Sequence, residues 1–131
     1  MTHLRVSEAA TLLGVSTDTV RRAIESGRLT ASSDGSGRAV VPGTDVAALA
    51  AELHQAPPVG PVGSTSSRNQ MRGIITRIVA DTVMAQIDIQ AGPFRLVSLL
   101  SAEAVRDMDL HVGDVAVASV KATHVTVGVP Q

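Results

Sequence analysis

Hydrophobic positions in the first part of the chain recur at helical spacing. Val20, Ala23 and Ile24 stand at i, i+3 and i+4, so they share one face of a helix and leave polar side chains on the other. Ser16 before this run is a good N-cap, and Gly27 after it can end a helix. The pattern predicts a helix between these two residues.

Two more helices are expected in the same region. One covers residues 8–13, with Ser7 as its cap and Gly14 after its last residue. The other runs from residue 44 or 45 to residue 54, and its expected core residues are Val46, Leu49 and Leu53. Before this last helix, the glycine-rich run 32–38 and the β-prone run 39–42 predict a hairpin with a glycine tip.

After residue 65 the spacing of the hydrophobic residues changes from that of a helix to a period of two residues. Residues 83–90 alternate strictly, which predicts a strand with one buried and one solvated face. The buried face is expected to carry Val83, Ala85, Ile87 and Ile89, and the solvated face Met84, Gln86, Asp88 and Gln90. Four more strands are expected at residues 71–80, 94–100, 114–120 and 123–129, and a two-turn helix capped by Ser101 covers residues 101–108.

The region between the two patterns is dense in Pro and Gly and carries no charge, which is typical of a linker. The sequence therefore predicts an N-terminal unit over 1–54, a linker over 55–64 and a C-terminal unit over 65–131. The fold class is α+β: a winged helix-turn-helix followed by a small five-stranded OB-like barrel with one short inserted helix.

Composition excludes several kinds of chemistry. The chain has 131 residues, a net charge of −1, no Cys and one aromatic residue, so it has neither a thiol nucleophile nor a platform for stacking bases. The four histidines lack the spacing of a metal site, and no nucleophile stands with a base, so we expect no metal and no enzymatic activity. No apolar run approaches the roughly 20 residues of a membrane span, which favours a cytoplasmic protein.

The N-terminal helices resemble a known DNA-binding domain. The residues Leu4-Arg-Val-Ser-Glu-Ala-Ala, Leu-Gly-Val-Ser16, Thr19-Val-Arg-Arg22 and Gly27-Arg28-Leu29 are similar to the excisionase-like and MerR-like domains over about residues 4–50. The resemblance implies that the second helix enters the major groove of double-stranded DNA and that the wing contacts its backbone. The residues implied are Thr17, Asp18, Thr19, Arg21 and Arg22 on the helix, with Arg28 and Arg38 at phosphates.

Charge limits what one copy of this unit can do. Residues 1–54 carry five Arg against six acidic residues, so a single copy should bind DNA weakly and two or more should be needed. The alternative interpretation of Arg21 and Arg22 is an ordinary solvated helix face.

Two segments of the C-terminal unit carry hydroxyl groups and cations, which a tetrahedral dianion requires as ligands. Together with Gly73 and Leu110-His-Val-Gly-Asp114, the segments Ser66-Ser-Arg-Asn-Gln70 and Val120-Lys-Ala-Thr123 resemble the molbindin domain, also called TOBE or Mop. The resemblance implies molybdate or tungstate held between subunits by Ser66, Ser67, Arg68 and Asn69 on one side and by Lys121, Ala122 and Thr123 on the other. Ser101, at a helix start, is a further candidate.

The sequence thus favours a transcription regulator that senses molybdate or tungstate and assembles as a dimer or a higher oligomer, such as a hexamer, through its barrel. One alternative is an oxyanion storage or buffering protein whose N-terminal unit mediates assembly. Another is a constitutive DNA-binding protein whose barrel only oligomerises. In the simplest interpretation, Arg68 is only a charge that prevents aggregation at a strand edge, and Lys121 is only a solvated barrel residue.

Overall fold

The computed structural model describes residues 2–53 and 65–131. The chain forms two compact units, Met1–Gln55 and Ala56–Gln131. The predicted linker over 55–64 and His54 lie outside the described residues. Among the described helices, none is long and apolar enough to cross a membrane.

Three helices form most of the first unit: α1 (Val6–Leu13), α2 (Thr17–Glu25) and α3 (Gly43–Leu53). The predicted ends of α2 are confirmed: the Ser16 hydroxyl accepts a hydrogen bond from the Thr19 N–H at 3.1 Å, and Gly27 has a φ of +82°. The predicted start of α1 is wrong. Ser7 lies inside that helix, and the helix begins after Arg5, whose N–H donates to the Glu8 carboxylate at 3.4 Å.

A small antiparallel sheet completes this unit. Its strands β1 (His3–Arg5), β2 (Ser32–Ser33) and β3 (Ala39–Pro42) are arranged in the order β1-β3-β2. The predicted hairpin is confirmed as β2 and β3, whereas β1 was not predicted, because three residues are too few to show a period of two.

The core of this unit joins all three helices to β3. Val46 and Leu49 are buried as predicted, but Leu53 is 41% exposed because it lies at the last residue of α3. The buried side chains are Ala9, Ala10, Leu13, Val20, Ala23, Leu29, Val41, Val46 and Leu49.

The second unit is a curled antiparallel sheet, a half-barrel, with one short helix. Its strands are β4 (Asn69–Ala80), β5 (Met84–Ala91), β6 (Phe94–Ser101) and β7 (Val115–Val120), in the order β6-β5-β4-β7. Helix α4 (Ala102–Asp107) follows β6, and a 3-10 turn (Ala122–His124) follows β7. The first half of the long strand β4 pairs with β7 and its second half with β5, with an irregularity between Ile75 and Arg77. This change of partner along one strand curls the sheet around an apolar inner face.

The prediction of a fifth strand over 123–129 is wrong for the single chain. Residues 122–124 form the 3-10 turn, and residues 125–131 pair with no strand among the described residues. Alternating valines give this segment a strand pattern, but a strand also needs a hydrogen-bonding neighbour. The barrel is therefore open between β6 and β7.

Two assignments on β5 are also corrected. Val83 is 68% exposed because it lies in the turn before the strand, and Asp88 is buried, at 5% exposure, although it lies on the face predicted to be solvated. Arg95 and Gln86 cover the Asp88 carboxylate by donating hydrogen bonds to it.

Candidate functional site

Helix α2 presents its polar face outward because Val20 and Ala23 are buried in the core. The predicted contact residues on this helix are all exposed: Thr17, Asp18, Thr19, Arg21 and Arg22. Nη1 of Arg21 lies 3.5 Å from the Asp18 carboxylate. Both side chains are more than half exposed, so this ion pair restrains Arg21 only weakly. The arrangement leaves two arginine side chains available to a ligand along one helix face.

The two arginines predicted at phosphates lie in different surroundings. The Arg28 guanidinium forms an ion pair with Glu52 of α3, with 2.7 Å between Nη2 and Oε2. Arg38 ends the turn between β2 and β3, where its N–H donates to Oδ1 of Asp34 at 3.0 Å. Arg38 is exposed. Arg28 is already paired, so a phosphate that binds it would have to compete with Glu52.

The turn that carries Arg38 is held by one carboxylate. Asp34 accepts hydrogen bonds from the hydroxyl and the N–H of Ser36, both at 2.8 Å, and these bonds with that of Arg38 hold the pKa of Asp34 below its ordinary value. The carboxylate therefore stays ionised and orders the hairpin tip.

Sequence reasoning missed one cation near the hairpin. β1 pairs with β3 on the side opposite to β2, so Arg5 and Ser32 both stand beside Val40. Arg5 is exposed and lies, with His3 and Asp34, along a shallow depression next to the hairpin. The position of Arg5 depends on the unpredicted strand β1, and no local pattern in the sequence signals it.

In the second unit, the two segments predicted to bind an anion adjoin within one chain. The antiparallel register of β4 and β7 pairs Asn69 with Val120, and the Asn69 side-chain amide donates to the Val120 carbonyl at 3.2 Å. Residues 66–68 lead into this junction and residues 121–123 lead out of it. We call this place the β4–β7 end of the half-barrel; it contains Ser66, Ser67, Arg68, Asn69, Lys121, Ala122 and Thr123.

The β4–β7 end carries positive charge without acidic neighbours in sequence. Residues 65–80 and 115–131 contain four cations and no Asp or Glu. Three of these cations, Arg68, Arg72 and Lys121, have exposed side chains that form no ion pair with the described residues. Lys121 also precedes the 3-10 turn, whose first backbone N–H groups have no acceptor inside the turn. The end therefore offers hydroxyls, N–H donors and cations to an anion.

Ser101 does not join this group. The register of β5 and β6 places it beside Met84, near the end of β4 that lies farthest from Asn69. Its hydroxyl caps α4 by accepting a hydrogen bond from the Ala104 N–H at 3.0 Å.

The two units thus define a two-domain protein with a helix-turn-helix domain and a separate β domain. Comparison with family models assigns both: residues 4–54 match the helix-turn-helix domain family, and residues 65–127 match the TOBE domain family. Each unit is thus similar to one of these two domain families.

Solved structures similar to this chain match one half of it. A molybdate-binding protein from Sporomusa ovata is 37% identical, with 50% of this chain and 97% of that chain covered and a TM-score of 0.48. MopII from Clostridium pasteurianum is 27% identical, with 50% of this chain and 100% of that chain covered and a TM-score of 0.48. A comparison with curated proteins gave no match.

Proposed function

We propose that this chain is a DNA-binding transcription regulator that senses molybdate or tungstate. The observation that carries the proposal is the β4–β7 end, where Asn69 bonds to Val120 and Arg68 and Lys121 lie without acidic partners. The same chain carries α2 with its exposed arginines. One polypeptide thus combines a candidate anion site with a candidate DNA-binding surface.

The chemistry of the β4–β7 end suits a tetrahedral dianion. Such an anion loses its hydration on binding, so fixed donors must replace water at each oxygen. Ser66, Ser67 and Thr123 supply hydroxyls, and Arg68 and Lys121 supply charge. Asn69 supports the site by fixing one segment against the other, since its amide already donates to Val120. Ser101 can contribute only if a second copy brings it to this end.

In this proposal, the exposed face of α2 enters the major groove of DNA. The β2–β3 hairpin acts as a wing and contacts the DNA backbone. Arg21 and Arg22 would contact bases, and Arg38 a phosphate. Because acidic residues outnumber arginines in this unit, useful affinity requires two or more copies joined through the second unit. Oxyanion binding would then change the spacing or stability of the paired helices. The proposal includes a cytoplasmic location and a binding role without catalysis.

The test is a calorimetric titration of the full chain with molybdate, tungstate and sulfate, with and without promoter DNA from beside its own gene. We expect molybdate or tungstate to bind more tightly than sulfate, and to change the affinity for DNA. Oxyanion binding without DNA binding would instead identify a storage protein. DNA binding that no oxyanion alters would identify a constitutive DNA-binding protein.

A further inference from the structure

Helix α2 carries a carboxylate on the face that the proposed function places in the major groove. Asp18 is the acidic residue of the first turn, and its side chain is exposed. The phosphates of DNA repel a carboxylate, so an acid on a DNA-binding helix weakens binding unless a base donates a hydrogen bond to it. Asp18 therefore needs either a structural role in the helix or a partner on a base.

The local structure gives Asp18 only a small structural role. The helix is capped by Ser16, whose hydroxyl accepts a hydrogen bond from the Thr19 N–H at 3.1 Å. The contact of Asp18 with Arg21, at 3.5 Å between exposed side chains, contributes little to stability. An acid in the first turn also interacts favourably with the helix dipole, but this gain is small at an exposed position. A role on DNA accounts better for the carboxylate.

The contact between Asp18 and Arg21 matches the edge of one base pair. In the major groove, a G·C pair presents two acceptors, guanine N7 and O6, followed by one donor, the cytosine N4 amino group. Guanine O6 and cytosine N4 are hydrogen-bonded to each other, so they lie about 2.9 Å apart. In α2, the Arg21 donor Nη1 lies 3.5 Å from the Asp18 acceptor Oδ1. A guanidinium offers a second donor, so the two side chains present two donors and one acceptor, the complement of the G·C edge.

We propose that Asp18 and Arg21 together recognise one G·C pair in each half-site, with Arg21 donating to guanine and Asp18 accepting from the cytosine of the same pair. This inference rests on the proposed DNA-binding role of α2 and adds the base pair that the helix selects. An A·T pair in the same orientation places thymine O4 opposite Asp18 and the adenine amino group opposite Arg21. Both contacts then become repulsive, and Asp18 acts as a specificity-determining residue.

The first test is a selection from a library of random duplexes, with the full chain in the presence and absence of molybdate. Asp18→Ala is compared with Glu25→Ala, which removes an exposed acid from the other end of the same helix. We expect the wild type and Glu25→Ala to select the same G·C pair in each half-site. Asp18→Ala should select that pair less strongly and keep its preference at the other positions. An unchanged preference in Asp18→Ala would overturn the proposal.

The second test removes the cytosine amino group and keeps the guanine. In the selected duplex, pyrimidin-2-one replaces the cytosine of that pair, and fluorescence anisotropy measures the affinity of each variant. Losing a charged hydrogen bond should weaken the binding of wild type and Glu25→Ala about tenfold or more, whereas Asp18→Ala should lose less than about twofold. The modified base weakens the duplex equally for every variant, so the comparison isolates Asp18. Equal losses in wild type and Asp18→Ala would contradict the proposal.

Asp18→Asn is the second variant if Asp18→Ala does not fold. Its amide has one donor and one acceptor group, so it should accept thymine as well as cytosine at that position. If the Asp18 variants lose unfolding free energy but keep the wild-type base preference, Asp18 is only a stabilising acid of the first turn and the inference is wrong.

The outcome separates this inference from the proposed function. If the wild-type chain selects no sequence with or without molybdate, the DNA-binding part of the proposed function fails, and this inference fails with it. If the wild type selects a sequence that both Asp18 variants select equally well, the DNA-binding role stands and only the assignment of Asp18 is overturned.

Discussion

Arg95 donates two hydrogen bonds to the same carboxylate oxygen of Asp88, from Nε at 3.0 Å and from Nη2 at 2.8 Å. Asp88 lies between Ile87 and Ile89, so its side chain leaves the sheet on the face opposite to the core. Gln86 donates a third hydrogen bond, to the other oxygen, at 3.1 Å. The strand thus carries an ionised group that accepts three hydrogen bonds from its neighbours in the sheet.

This arrangement predicts how stability depends on pH. The hydrogen bonds from Gln86 and Arg95 lower the pKa of Asp88 below its ordinary value. A lowered folded-state pKa stabilises the protein above the unfolded pKa of about 3.9, and the stabilisation disappears as pH falls through the folded-state value. We expect the difference in unfolding free energy between wild type and Asp88→Asn to be constant from pH 5 to 7 and to shrink below about pH 4.

Denaturant unfolding at a series of pH values measures this difference. Asp107→Asn, at the exposed end of α4, removes the same charge and is the matched control. A difference between wild type and Asp88→Asn that stayed constant down to pH 2 would contradict the prediction.

Two cations at the β4–β7 end should carry oxyanion affinity. Losing a charged hydrogen bond costs about 1.5–3 kcal/mol, and each 1.4 kcal/mol is tenfold, so Lys121→Ala and Arg68→Ala should each weaken molybdate or tungstate binding at least about tenfold. Calorimetry checks this, with Arg106→Ala on α4 as a control of the same charge. If Lys121→Ala binds as tightly as the control, Lys121 is not a ligand.

Sulfate should compete poorly with molybdate even in the wild-type protein. The two anions have the same charge, but sulfate is smaller, so donors spaced for the larger anion would reach it only through stretched hydrogen bonds. Competition calorimetry measures the ratio of affinities. Equal affinity would make the β4–β7 end a general anion site.

Arg21→Ala and Arg22→Ala should abolish specific DNA binding and leave oxyanion binding intact. A good base contact contributes about 1–3 kcal/mol for each copy, so the loss in a dimer is doubled. Fluorescence anisotropy with operator DNA measures it, and Arg106→Ala in the other unit again serves as the control. Wild-type affinity in both variants would show that these arginines are only a solvated helix face.

Glu52→Gln should strengthen DNA binding. The substitution removes the carboxylate that holds Arg28 at 2.7 Å, which frees the guanidinium for a phosphate. Each added phosphate contact should steepen the logarithmic salt dependence by about 0.9. Glu103→Gln on α4 removes the same charge from the other unit, and an identical gain in that variant would exclude a specific role for Arg28.

The sequence by itself determined the elements whose signals are local. The caps and spacing of α2, the glycine-tipped hairpin and the alternation along β5 follow from residues only a few positions apart, because helices and turns depend on neighbouring side chains. The resemblance also selected both segments of the β4–β7 end, although their binding roles stay predictions.

Only the tertiary structure decided the features that depend on residues far apart in sequence. The pairing of Asn69 with Val120 spans 51 positions, and the burial of Asp88 depends on Arg95 from the next strand. The segment 123–129 was predicted as a strand from its local pattern and forms none in the single chain. Its alternating pattern specifies a buried face but cannot specify which strand will lie beside it. Hydrogen bonds between strands are made with a partner, so the partner, and not the strand's own residues, decides whether the strand forms.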